Sequence, residues 1–221
     1  MKDLERQDRL GFIKKVYTIL SVQLIITASS IAAVKLTPGL NSSFKGFGVW
    51  AIVALLVAIV IEIMILCVRR LARKVPVNYL LLLVFTLCEA FAFSVICSYY
   101  SVQTTLAAAG TTAAVTVALT AYAMLTNTDF TMMGGMIVVV SVAVLVISLM
   151  SVFLHFVTWW HPLVSCILIV FYGLFLIYDT QLVAGGKKHS LSLDDYILGA
   201  LIIYVDVMGI FLELLQLFGS E

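Results

Sequence analysis

The sequence predicts an all-α fold, a polytopic membrane bundle of seven transmembrane helices with the carboxyl-terminal helix at its centre. Three observations carry that reading. Of the 221 residues 63% are hydrophobic and only 11% charged, and the mean hydropathy of +1.15 lies beyond that of a water-soluble domain. The apolar residues gather into runs that approach the roughly 20 residues needed to cross about 30 Å of hydrocarbon. Polar or helix-breaking residues separate these runs.

The first run, 16–36, follows a charged tail, 1–15, that ends in Lys14-Lys15. It is too long for a signal peptide and lacks a small-residue cleavage site, so it is expected to remain as the first span. Pro38-Gly39 closes it, and the second run covers 49–68. Pro76 introduces the third, 78–99, and the fourth covers 104–125. The polar stretch Thr126-Asn127-Thr128-Asp129 precedes the fifth, 135–157, and Trp159-Trp160-His161-Pro162 precedes the sixth, 163–183. Gly185-Gly186 marks the exit of the sixth. Ser192 with Asp195 three positions on resembles a capping box at the start of the seventh, 195–218. A single transmembrane domain, 16–218, thus lies between the tails 1–15 and 219–221. Because the last run also contains Asp206, Gly209 and Glu213, a re-entrant hairpin is its alternative form.

Basic residues set the orientation. Lys2, Arg6, Arg9, Lys14 and Lys15, then Arg69, Arg70, Arg73 and Lys74, then Lys187 and Lys188 all fall on one side of seven spans. The excess of positive charge makes that side cytosolic and puts Glu221 on the other. Lys35 and Lys45 alone run against the rule. Tyr99-Tyr100 and Trp159-Trp160 fall at the far interface, where aromatic belts form.

Several function classes drop out. A net charge of +1 provides no basic field for nucleic acid. Cys67, Cys88, Cys97 and Cys166 sit inside apolar runs, where thiols pack as small hydrophobes. His155, His161 and His189 have no Cys or carboxylate at ligand spacing, so no fixed metal site and no cofactor is expected. A His-Glu-x-x-His arrangement is missing, as is a serine with a histidine at depth. Tyr178-Asp179 and Tyr204-Val205-Asp206 lack the Gly-x-Gly-Asp of a presenilin-like dyad, so no enzyme activity is expected.

The informative residues are the acids inside the runs: Glu62, Glu89, Asp179, Asp206 and Glu213. An ionised carboxylate in hydrocarbon costs several kcal/mol unless it is paired, hydrated or neutralised. No Lys or Arg lies comparably deep. On the last helix Asp195, Gly199, Asp206, Gly209 and Glu213 share one face, since offsets of seven and eleven return near the same angle. Glu62, Glu89, Asp195 and Glu213 are therefore candidates for an ion path, and Asp179 and Asp206, as acids inside spans, for a functional role. Plainer readings exist: Glu213 snorkelling to the interface, Glu62 and Glu89 bonding to neighbouring helices, and Arg69, Arg70, Arg73 and Lys74 acting only on topology. Counting from helix ends sets Glu62 level with Asp179 and Glu89 level with Asp206.

At FIKKVYTILSVQL (12–24), PVNYLLLLVFTLCEAF (76–91), TNTDF (126–130), IYDTQL (177–182) and SLSLDDYILGALIIYVDVMGIFLELLQLFG (190–219) the chain resembles the transmembrane Bax inhibitor motif family, in its lifeguard branch. The resemblance implies a seven-helix fold around the last helix, a calcium leak from internal stores, suppression of cell death, and a hydrogen-bonded aspartate pair at Asp179 and Asp206. Calcium is then the permeant ion, bound only in transit at that pair, and protons are the regulator, which makes Asp179 and Asp206 the pH sensor. The expected location is an endoplasmic reticulum or Golgi membrane, with the plasma membrane as the alternative. Two other readings stay open: an interaction module that binds cell-death regulatory membrane proteins, and a proton-coupled calcium transporter.

Overall fold

The computed structural model describes residues 2–153 and 160–219, and the described residues are helical almost throughout, without a strand. In chain order the helices are α1 (Lys2–Leu36), α2 (Pro38–Phe44), α3 (Gly48–Cys67), α4 (Arg69–Arg73), α5 (Val77–Ser98), α6 (Val102–Leu125), α7 (Gly134–Phe153), α8 (Trp160–Ala184) and α9 (Tyr196–Phe218). Single 3-10 turns occur at Lys45–Phe47 and Phe130–Met133. Among the described residues six helical stretches have the length and apolarity of a span: Arg6–Leu36, Gly39–Cys67, Val77–Ser98, Val102–Leu125, Trp160–Ala184 and Tyr196–Phe218. α7 adds 20 residues over the described part of the fifth expected run. His155 and Trp159 lie outside the described residues, as does Glu221. The fold is an all-α membrane bundle, and α9 is its most enclosed span, with 72% of its apolar window buried against 50% or less elsewhere.

Helix ends differ from those read in the sequence. α1 begins at Lys2, so the charged tail is helical and continuous with the first span. The break after α1 narrows to Thr37, at φ −108° and ψ 103°, with Pro38 opening the next helix. Proline pushes its predecessor into extended backbone yet fits the first helical turn, where its missing N–H is no loss. The polar stretch before residue 49 is therefore helical as well.

The chain divides into two compact units. The first comprises Met1–Val102 and Ser192–Tyr204. Within it α5 packs along α1 and α3, and a polar seam crosses the apolar contact of α1 with α5. Gln23 Nε2 donates to Thr86 Oγ1 at 3.0 Å, and Ser30 meets Ser94 at 2.8 Å. Thr27 meets the Tyr204 hydroxyl at 2.8 Å. Each hydroxyl in hydrocarbon needs such a partner, and one found on a neighbouring helix ties the two together. Lys35 donates from Nζ to the carbonyl oxygens of Cys97, at 2.9 Å, and Tyr100. Its charge thus meets the carbonyl end of α5, where the helix dipole favours a cation.

The start of α9 is held in the same unit. Arg73 grips Asp195 with two hydrogen bonds, Nε to Oδ1 at 2.7 Å and Nη2 to Oδ2 at 2.9 Å. Lys15 Nζ stands 3.2 Å from the centre of the Tyr196 ring. The expected capping box is corrected here: Asp195 N–H bonds to Ser192 O at 3.0 Å, and the helix begins after Asp195, whose own carbonyl accepts the Gly199 N–H at 2.9 Å. A guanidinium fork matches a carboxylate better than a single backbone N–H does, so Asp195 serves Arg73 instead of the helix end.

The second unit comprises Gln103–Leu191 and Val205–Glu221. α8 ends as expected at Gly185 and Gly186, whose φ of 73° and 79° lie in the left-handed region that glycine enters without steric cost. The chain then folds back, and Leu191 N–H reaches Leu182 O at 3.0 Å.

Candidate functional site

The site grows from α8 and α9 within the second unit. Both helices are apolar over most of their length, and a few polar side chains are kept from lipid by facing each other. Asp179 is 7% exposed and Asp206 3% exposed. Their side chains are hydrogen-bonded to each other. Farther along, Glu213 is also buried and is hydrogen-bonded to Ser165. Between these contacts Gly209 packs directly on the ring of Tyr172.

A polar clasp secures the carboxyl end of α8. Gln181, two residues beyond Asp179, donates from Nε2 to Ala123 O at 3.2 Å and Thr128 O at 3.0 Å, and its Oε1 accepts the Phe130 N–H at 2.9 Å. Lys187 Nζ donates to the carbonyls of Thr126 and Asn127 at 3.0 and 3.1 Å. His189 N–H donates to Thr131 Oγ1 at 3.2 Å. Asp129 Oδ1 accepts from the backbone and hydroxyl of Thr131, and Oδ2 from the Lys188 N–H. The connections on either side of the α7–α8 pair are thereby buttoned together.

Donors at Asp129, first among them the Thr131 hydroxyl and then the Lys188 N–H, hold its carboxyl below the ordinary aspartate value. A depressed folded-state value means that its stabilisation is fully present above the unfolded pKa of about 3.9 and is lost as pH falls through the folded value. Protection of the 126–131 amides, measured as exchange relative to the intrinsic rate at each pH, should fall on acidification below about pH 4 in the wild type. Asp129→Asn should remove that acid dependence. Persistent acid sensitivity in the Asn variant would assign it to another group.

The remaining acids fall elsewhere. In the first unit Glu62 on α3 and Glu89 on α5 are partly buried and are electrostatic neighbours of each other. Glu89 also lies near the Tyr204 hydroxyl. The pairing read from depth, Glu62 with Asp179 and Glu89 with Asp206, is corrected, because it assumed level helix ends. Asp179 lies five residues before the end of α8 and Asp206 ten after the start of α9, a stagger of about 7.5 Å at 1.5 Å per residue. Asp195, expected on the acidic face of the last helix, precedes that helix and is neutralised by Arg73. Among the described residues no three His, Cys, Asp or Glu side chains form a metal-binding group.

Sequence reasoning missed Gln181, Tyr172 and Ser165. Gln181 carried a signal, since an amide inside an apolar run requires partners. Tyr172 and Ser165 carried none, because their importance comes from the residues opposite them.

A family model described as "Inhibitor of apoptosis-promoting Bax1" matches residues 9–221. The chain is 35% identical over 220 residues to "Protein lifeguard 3" of Homo sapiens, a match covering 98% of this chain and 71% of that protein. The Mus musculus "Protein lifeguard 3" is 34% identical with the same coverage. "Protein LIFEGUARD 4" of Arabidopsis thaliana is 30% identical over 220 residues, covering 96% of this chain and 85% of that protein.

Proposed function

The chain belongs to the family of inhibitors of apoptosis-promoting Bax1, and from that premise we propose that it is a cytoprotective calcium leak of an internal membrane, the endoplasmic reticulum or Golgi, controlled by protons at Asp179 and Asp206. The observation that supports this is the hydrogen bond between two buried carboxyl groups on α8 and α9. One of two carboxyls so bonded must hold a proton, because two ionised oxygens offer no donor. The pair titrates as a unit. Loss of the shared proton leaves two negative groups in contact, which either pushes α8 and α9 apart or creates an anionic site for Ca²⁺. Calcium takes six to eight oxygens, so the pair with water and backbone carbonyls makes a weak transit site. Weak binding is what passage requires.

Purified protein in liposomes carrying a calcium-reporting dye tests the reading. Calcium should move only down its gradient, at a rate set by pH. Uphill movement driven by a proton gradient would make the protein an exchanger. Absence of flux, with cell protection intact, would make it an interaction module for cell-death regulators.

A further inference from the structure

Ser165, Tyr172 and Asp179 recur every seven residues on α8, while Asp206, Gly209 and Glu213 lie three and four apart on α9. Each set forms one stripe. The stripes meet at three points: Glu213 on Ser165, Gly209 on Tyr172, and Asp206 on Asp179. The middle point is the tightest. A Cβ on Gly209 would stand 2.6 Å from Tyr172 Cδ1 and Cε1 and 2.7 Å from Cζ. These atoms belong to a rigid ring on a short stem, which cannot curl aside as a long flexible chain would. Gly209 has no positive φ, so space and not backbone freedom is what glycine supplies here.

We infer that Gly209 is a positioning residue: its missing side chain seats the Tyr172 ring against α9 and so sets the separation of α8 and α9 at which Asp179 and Asp206 can share a proton. The inference rests on the proposed role of that pair. Restoring ordinary contact at a Gly209 methyl requires a displacement of about 0.8 Å, from 2.6 Å to 3.4 Å. An O–H···O bond has a preferred length of about 2.7 Å and a range of only a few tenths, so such a displacement takes the carboxyls out of reach. The titratable groups on the surrounding elements are Tyr122 on α6, His161, Cys166, Tyr172 and Tyr178 on α8, Tyr204 and Glu213 on α9, the last already bonded to Ser165, and Asp129 and Lys187 in the clasp that ends α8; α7 has no acid or base.

The test is the ratio of highest to lowest calcium flux in liposomes across about pH 5 to 8. Gly209→Ala should lower that ratio severalfold. Gly209→Ala combined with Tyr172→Leu, which removes the ring, should restore it. A purely structural role would change protein yield and leave the ratio alone. A wild-type ratio in folded Gly209→Ala, while Asp179→Asn and Asp206→Asn flatten the profile, would overturn the positioning role and leave the carboxyl pair standing. Should Gly209→Ala fail to fold, the double variant decides: a wild-type ratio supports the inference and a flat one overturns it.

Discussion

Gln181→Leu should destabilise the protein by about 3 kcal/mol and release the connection between α6 and α7. Leucine approximates the volume of glutamine, so the loss is polar. Gln181 is only 1% exposed, and its amide satisfies the Phe130 N–H and the carbonyls of Ala123 and Thr128. Leaving a buried backbone group without a partner costs about 1 to 3 kcal/mol, and relaxation toward water recovers part of the sum. Gln181→Glu should fall between the two, since it keeps an acceptor for Phe130 but turns oxygen against both carbonyls. Thermal unfolding in detergent, with protease cleavage within 126–131, measures both effects. A Leu variant as stable and as resistant as the wild type would mean that the clasp does not hold α8.

Substitution at the carboxyl pair should separate titration from packing. Asn at 179 or 206 keeps size and hydrogen-bonding capacity while removing the exchangeable proton. Asp179→Asn and Asp206→Asn should therefore fold normally and lose the pH response of calcium flux. Asp179→Ala and Asp206→Ala should each cost about 1 to 3 kcal/mol, because the opposite carboxyl is left buried without its partner. Equal stability of the Asn and Ala variants would mean that the hydrogen bond contributes nothing to holding α8 on α9.

What was legible in the sequence follows from what hydrocarbon penalises. Apolar runs of span length are unmistakable, so the six span-length helices among the described residues were readable in the sequence, whereas the short helices α2 and α4 were not. The ends of the spans were less legible. The charges of the first fifteen residues mark a boundary of solvent, yet they do not stop a helix, and α1 runs through them. Acids inside spans announced themselves by their cost. Their partners did not, because depth counted from helix ends ignores the stagger of α8 and α9. Gln181 bonds to residues more than fifty positions away in a connection, and no local periodicity reports that fold-back. Gly209 was visible on the acidic face of the last helix, whereas the ring that makes its smallness matter lies on another helix.

The central claim is that one proton held between Asp179 and Asp206 controls calcium passage. Its most direct test is calcium flux into liposomes across about pH 5 to 8 for the wild type and the two single Asn variants, with folding checked in parallel. The account predicts a pH-dependent flux in the wild type and a flat profile in both variants. Wild-type pH dependence retained in both folded variants would contradict it.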